Sequence, residues 1–335
     1  MTSKLDVIGL GTNAIDQVIQ LYRIPDADAK VVCPPQNYSL FDGGVMGNTL
    51  TGLARLGLKT GYLGKVGDDS FGRMIKKSCM DDNIDLSHCE IIPGKHSAWT
   101  WIVVDAEGER TIVLFPNVLT EVDEAFIGAA SNYIRSCHLL HIEGSEMRLK
   151  PFIEGAKTAK SADIPIAFDL DIPATDFIED LGLATMDELE EMISLCDLFI
   201  PCIGGAQDLT NKSHPLDMAL ALLEKYKVPN VAISHGSEGC FVATENEAFH
   251  SPAYIIDPVD GTGSGDAFHA GMIFGYVKGW DMKETAMFAN ACGALNTIKL
   301  GARSGMHSED DVRLFMANNH RHQEENFENP DMPYL

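Results

Sequence analysis

Long apolar runs are missing from this chain of 335 residues. None reaches the roughly eighteen consecutive apolar residues that a membrane helix needs, and the opening Met1 to Asp6 is too short and polar for a secretory leader. A soluble protein is therefore expected. Paired cysteines are missing too: the eight cysteines, at 33, 79, 89, 137, 196, 202, 240 and 292, form no Cys-x-x-Cys, so neither a zinc site nor a disulfide framework is indicated. Reduced thiols in a cytoplasmic protein are the expectation. Positive charge is scarce. With 25 Lys and Arg against 49 Asp and Glu the formal charge is −24, which argues against nucleic acid and anionic membranes as partners and disfavours a substrate that already carries phosphate. No Gly-x-x-x-x-Gly-Lys-Ser/Thr loop occurs, so any phosphate must be neutralised by backbone dipoles and a bound metal. Internal repeats and low-complexity tracts are absent as well.

Glycine, by contrast, is concentrated where it can carry chemistry. The string Asp257-Pro258-Val259-Asp260-Gly261-Thr262-Gly263-Ser264-Gly265-Asp266-Ala267-Phe268 places three glycines at alternate positions ahead of an aspartate that opens a helix. It follows a short apolar run, 253–256, and precedes 267–278, where Phe268, Met272 and Tyr276 recur at helical spacing. Unpaired N–H groups at a helix start point the same way and carry the positive end of the dipole, so Gly263, Ser264, Gly265 and Asp266 form a candidate anion site. A carboxylate at Asp266 would repel a phosphate in the ground state, which suits a base that takes a proton from an attacking hydroxyl. The plainer reading is a helix cap after a flexible turn. An EF-hand is excluded, because Pro258 falls inside the loop and its twelfth position is Phe268.

Two earlier segments add to this. Phe41-Asp42-Gly43-Gly44-Val45-Met46-Gly47-Asn48-Thr49 leads into the apolar, helix-like run 50–56. A glycine pair followed by asparagine gives close backbone approach to a ligand plus an amide that both donates to and accepts from hydroxyls, although Asn48 alone would also read as a cap. Gly9-Leu10-Gly11-Thr12-Asn13-Ala14 fits the dinucleotide pattern Gly-x-Gly-x-x-Gly/Ala. That fingerprint needs an acidic residue about twenty positions on, and Lys30-Val31-Val32-Cys33-Pro34-Pro35 supplies none.

The string 257–268 closely resembles the second signature of the ribokinase-like (PfkB-type) carbohydrate kinases, Asp-Thr-x-Gly-Ala-Gly-Asp, with Gly261 and Ser264 as small departures. Segment 41–49 is similar to the family's first signature, and the resemblance spans roughly residues 5 to 305. It implies an ATP-dependent kinase acting on a primary hydroxyl of a neutral sugar such as ribose or fructose, with ATP and Mg²⁺ bound. Asp16, Gly43, Gly44 and Asn48 would hold the sugar, Asp266 would be the base, and the N–H groups of Gly263, Ser264, Gly265 and Asp266 would hold the charge on the transferring group. Ser234-His235-Gly236-Ser237-Glu238-Gly239 resembles the Thr-x-Gly-x-x-Gly turn along the ATP phosphates, with Ser234, Gly236 and Gly239 at its key positions. His235 reads as solvent-facing rather than as a second base. Asn290 to Ala294 and Gly301-Ala302-Arg303-Ser304 resemble the helix and turn that border the adenine, through Asn290 and Ala294. Asp260, Thr262 and the backbone of Gly301 match positions that hold a monovalent cation, with K⁺ the apt ion for an all-oxygen site; Asp260 as a turn cap is the other reading.

The implied fold is a three-layer α/β/α domain, residues 1–317, with a mostly parallel central sheet and a small antiparallel β lid inserted at about 13–42 and 95–117. Residues 318–335 read as a polar surface tail. Alternating apolar runs and helical patterns agree with a parallel sheet, and predict its strands at 5–8, 60–64, 139–142, 166–168, 198–200, 231–234 and 253–256. The lid strands are predicted at 30–33 with 37–40, and as a hairpin of 98–104 with 110–115 around Glu107 and Gly108. Trp99, Trp101 and Val103 alternate on one lid face, which needs cover from the main domain or from a second copy's lid. In the family such a lid closes over the sugar and often pairs two copies, so a homodimer through it is implied. The alternatives are a nucleoside kinase with Trp99, Trp101 and Phe115 stacking the base, and outside the class a catalytically silent sugar or nucleotide sensor. Two departures bear on these. Pro201-Cys202-Ile203-Gly204-Gly205 stands where many members carry Asn-x-x-Glu for Mg²⁺-bound water, leaving Asp169 or Asp208 to compensate. Phe168-Asp169-Leu170-Asp171-Ile172-Pro173 has proline where a substrate-binding arginine is usual, which disfavours an acidic sugar.

Overall fold

The computed structural model describes residues 4–106 and 109–323. Its strands are, in chain order, β1 (Leu5–Leu10), β2 (Ala14–Gln20), β3 (Tyr38–Gly43), β4 (Thr60–Gly67), β5 (Cys89–Ile92), β6 (Trp99–Val104) and β7 (Arg110–Phe115), followed by β8 (Cys137–Gly144), β9 (Ile166–Leu170), β10 (Leu198–Pro201), β11 (Asn230–Ser234), β12 (Gly239–Thr244) and β13 (Ala248–Pro252). They make a nine-stranded sheet in the order β13-β12-β11-β10-β9-β8-β1-β4-β5 and a four-stranded sheet in the order β3-β2-β6-β7. Pairing is parallel from β5 to β11 and antiparallel at β12 and β13.

Period-two alternation explains why the large sheet is covered on both sides. Val7, Leu139, Ala167 and Leu198 face a core built with Met46, Leu50, Met272 and Phe288, while Ile8, Leu140, Phe168 and Phe199 face one built with Phe152, Leu189, Met192 and Leu222. The resulting α/β/α layering is the ribokinase-like architecture the motifs implied.

Three strand predictions need correction. Residues 30–33 are not a strand, since Pro34 and Pro35 follow and remove two ladder donors; β3 pairs with β2 instead, a strand the alternation failed to single out. Residues 253–256 lie beyond the sheet edge, which is filled by β12 and β13, and only Tyr254 makes a bridge, to Arg321. The lid sheet is not wholly antiparallel, because β2 and β6 run parallel between two antiparallel pairs. Its hairpin tip at Glu107 and Gly108 lies outside the described residues. At the chain's end, Ile255 N–H donates to the His320 carbonyl and His322 N–H to that of Ala253, so 320–322 dock along 253–255.

The lid's buried face is also the opposite of the one expected to need cover. Thr100 and Ile102 turn inward, while Trp101 is 44% exposed on the other face beside its cross-strand partner Val113; Ile112 and Leu114, paired with Ile102 and Thr100, are exposed on the inward face. Trp99 is half-buried and stacks on Phe115, with centroids 3.8 Å apart. The main domain therefore covers the Ile15 and Trp99 end of the outer face and leaves Trp101 and Val113 uncovered.

Candidate active site

The turn after β1 decides the first ambiguity. It runs into strand β2 and not into a helix, so no helix N-terminus follows Gly9 and Gly11 to receive a pyrophosphate. These glycines serve packing. A Cβ at Gly9 would collide with Met46 and Leu50, and one at Gly11 with the Glu143 carboxylate. Glu143 ends β8 next to the end of β1, the place where connections leave the sheet in opposite directions and α/β folds bind ligands. Its Oε2 accepts the N–H of Thr12 at 2.7 Å and that of Met46 at 3.2 Å, and Ser145 donates to its Oε1. Sequence reading passed over Glu143, although its position at the carboxyl end of an apolar strand is a signal.

Asp16 lies on β2 opposite Thr100 of β6, whose hydroxyl donates to Asp16 Oδ1. Burial pushes the Asp16 carboxyl up, and the Thr100 bond and the nearby Arg303 charge partly offset that. Gly43 must lack a side chain, because a Cβ would run into the Asp16 carboxylate. Gly44 sits at φ +83°, where the backbone turns into the helix Val45–Arg55 that carries Asn48. Asn48 Nδ2 then donates to Asp266 Oδ2 at 2.6 Å. Two segments 218 residues apart thus meet in one hydrogen bond, with Asp16 set beside Gly43 at the start of the same helix.

Asp266 lies in the first turn of the helix Ser264–Lys278 and is buried. Burial raises its pKa to about 7; the Asn48 donor opposes the rise, and the carboxylates of Asp169 and Glu143 add to it. One turn on, His269 Nδ1 is 2.8 Å from Asp169 Oδ2, at an angle that misses a proper hydrogen bond. Burial lowers that imidazole to about 4 and raises the Asp169 carboxyl well above its usual range.

The backbone ahead of Asp266 keeps three of the four expected donors. Ser264 N–H is spent on the Gly261 carbonyl at 3.2 Å, while the N–H groups of Gly263, Gly265 and Asp266 have no partner among the described residues. Gly263 has φ +72° and lies against the Ala302 backbone, so only glycine fits there. A Cβ at Gly265 or Gly236 would stand in open space, so the backbone at both glycines is bare. Gly239 closes the Ser234–Gly239 turn at φ +103°. His235, expected to face solvent, is half-buried beside Phe241 and pairs with Glu238 at 2.9 Å.

On the other flank, Asn296 Nδ2 binds the carbonyls of Thr262 (3.1 Å) and Ala302 (2.9 Å) and its Oδ1 accepts from Gly305, tying the glycine string to the 301–305 turn. Asn290 spends its amide on Ser251 O at 2.7 Å, so it holds the end of β13, with Ala294 one turn further along the same helix. Asp260 accepts from Thr262 N–H (2.9 Å) and Gly301 N–H (2.8 Å); these bonds outweigh burial and hold its carboxyl below the usual range. Of the two carboxylates that could replace the missing Asn-x-x-Glu pair, Asp208 accepts from Thr175 N–H and Asp169 faces His269. The largest surprise is Arg303. Expected in a turn beside the adenine, its side chain turns instead to Asn48, Asn13 and Gly43. Trp99 and Trp101 point to the lid face opposite Thr100 and Asp16, so they are not placed to stack a base.

With this geometry in hand, the similarity to known proteins is informative. The pattern of the pfkB family carbohydrate kinases matches residues 5–309. The chain is 27% identical over 318 residues to the ATP-dependent ribose-1-phosphate kinase of Halopiger xanaduensis, covering 93% of this chain and 98% of that one. To the aminoimidazole riboside kinase of Salmonella typhimurium it is 29% identical, over 89% and 95% of the two chains. The Arabidopsis thaliana ribokinase solved with ribose and ATP superposes with a TM-score of 0.80 at 19% identity, over 93% and 99%.

Proposed function

From the premise that this chain belongs to the pfkB family of carbohydrate kinases, and is an ATP-dependent carbohydrate kinase, we propose that it phosphorylates a primary hydroxyl of a neutral sugar. What carries this reading is the direct bond between Asn48 and Asp266, which sets the hydroxyl-binding residues beside a carboxylate poised to ionise near neutrality. Asp16 and Asn48 hold sugar hydroxyls, and Gly43 and Gly44 let the ring approach the backbone. Asp266 takes the proton of the attacking hydroxyl. The N–H groups of Gly263, Gly265 and Asp266, aligned with a helix dipole, meet the charge that develops on the transferring group. Ser234, Gly236 and Gly239 lie along the remaining phosphates, and the segments of Asn290 and Ala294 border the base. Mg²⁺ arrives with the nucleotide as part of the substrate and neutralises its phosphate oxygens.

Asp16 lies on the lid strand β2, braced by Thr100 of β6, so a sugar held by Asp16 engages the lid, and lid closure would exclude water that competes with the hydroxyl. The outer face, where Trp101 and its cross-strand partner Val113 are exposed, suits pairing with a second copy's lid. If so, Trp101→Lys should shift sedimentation at micromolar concentration from dimer to monomer; an unchanged species would remove that pairing.

A riboside remains the second candidate substrate, because one similar kinase is named for one. An ADP-release screen against pentoses, ketohexoses, aldohexoses and nucleosides decides between them. Run with and without K⁺, it also tests Asp260, Thr262 and Gly301 as a monovalent-cation site. Turnover on a neutral sugar is expected; a strong preference for nucleosides or for sugar phosphates would overturn the proposal. No release with any acceptor would favour a silent sensor.

A further inference from the structure

Arg303 is a buried cation whose donors all converge on the substrate side of the site. Its Nε donates to Asn48 Oδ1 at 2.7 Å, one Nη to Asn13 Oδ1 at 3.1 Å and to the Gly43 carbonyl at 2.6 Å, and the other to Ser78 Oγ at 3.2 Å. Gly47 makes room for it, since a Cβ there would collide with the guanidinium. Arg55 in turn donates to the Arg303 carbonyl at 2.6 Å and pairs with Asp82 at 2.8 Å, which anchors the turn that carries the side chain.

The direction of each bond matters. A guanidinium has donors and no acceptor, so the Asn48 amide must present its oxygen to Arg303. Its NH₂ group is then left to face Asp266, whose ionised carboxylate can only accept. Arg303 therefore removes the one rotational choice the amide has. The same guanidinium holds the Gly43 carbonyl, and Gly43 is the residue against which the Asp16 carboxylate packs.

We propose that Arg303 is a positioning residue for phosphoryl transfer, locking the Asn48 amide so that it donates to Asp266 and fixing the backbone on which Asp16 rests. The proposal builds on the kinase reading above. The groups facing Asp266 are Asn48 from the helix Val45–Arg55, Glu143 from β8, Asp169 and Asp171 from the end of β9, and His269 from its own helix. Around Arg303 itself stand Asp16, Asp42, Asp82 and Cys79.

The test is a double-substitution cycle of Arg303→Met and Asn48→Ala, read as kcat, KM and the pH profile of kcat/KM. Arg303→Met should lower kcat about 10- to 100-fold, with KM for ATP changed only a few fold, and should move the acid limb of the profile to higher pH. The double variant should be little worse than Asn48→Ala alone. Arg303→Lys, which keeps the charge but cannot reach Asn48 and Gly43 together, should resemble Arg303→Met, and it provides the same readings if the methionine variant misfolds. Losses that multiply in the double variant, or an unmoved acid limb, would overturn the proposal. A wild type without turnover would instead sink the kinase reading. Arg303 is then judged from stability: the fall in unfolding midpoint with rising pH should extend to higher pH in Arg303→Met, and an unchanged curve would reject the coupling.

Discussion

Asp266→Asn should lower kcat by on the order of 10²–10⁴ and leave the affinity for ATP within a few fold. Asparagine keeps the shape and an acceptor for Asn48 Nδ2 but cannot take a proton, while the Gly263, Gly265 and residue-266 N–H groups survive unchanged. With the Asp266 pKa near 7 in the free protein, wild-type kcat/KM should fall as pH drops through about 7. Stability should move the other way. The folded pKa lies above the 3.8 of an unperturbed aspartate, so the stabilising preference for the protonated form is complete below about 4 and is lost as pH rises through about 7. Asp266→Asn carries no such loss. Its unfolding midpoint should therefore exceed that of the wild type at pH 8, with the gain shrinking toward pH 4. Full turnover in this variant would remove Asp266 from the chemistry, and a midpoint below wild type at pH 8 would contradict the cost of ionising it.

Asp16→Ala is the second large effect. A carboxylate accepting two sugar hydroxyls makes charge-assisted hydrogen bonds worth about 1.5–3 kcal/mol each, so losing both should cut kcat/KM by on the order of 10²–10⁴. The loss should appear in KM for the sugar and also in kcat, because a hydroxyl no longer held is misplaced relative to Asp266. Thr100, which donates to Asp16, loses its partner but remains on the lid strand. Nucleotide binding is measured in parallel. Weakened ATP affinity with sugar binding intact would reopen the dinucleotide reading of Gly9 and Gly11.

Glu143 and Arg303 show where sequence reasoning stops. Each was visible as a letter, and only Glu143, at the carboxyl end of an apolar strand, carried a local signal; their partners lie far along the chain, Thr12 131 residues from Glu143 and Asn48 255 from Arg303. Local pattern reports which backbone conformation a segment prefers, and it cannot report which distant side chain will occupy the space beside it. The misplaced strand at 253–256 has the same origin. An apolar run is satisfied equally by a sheet edge or by docking against 320–322, and burial patterns alone do not separate the two.

The sequence by itself determined the parallel α/β architecture, through apolar runs alternating with helical spacing, and the glycine-rich start of the helix at Ser264, through glycines whose required backbone is local. It also identified Asp266 and Asn48 as candidates, because their motifs are short and contiguous. Only the tertiary structure decided that these two residues touch, that burial lifts Asp266 to about 7, that Arg303 turns toward Asn48, and that the lid presents Thr100 inward and Trp101 outward. The division follows the range of the forces. Backbone conformation answers to neighbours a few residues away, whereas a pKa, a side chain's choice of partner and the buried face of a sheet depend on what the whole chain brings into van der Waals contact.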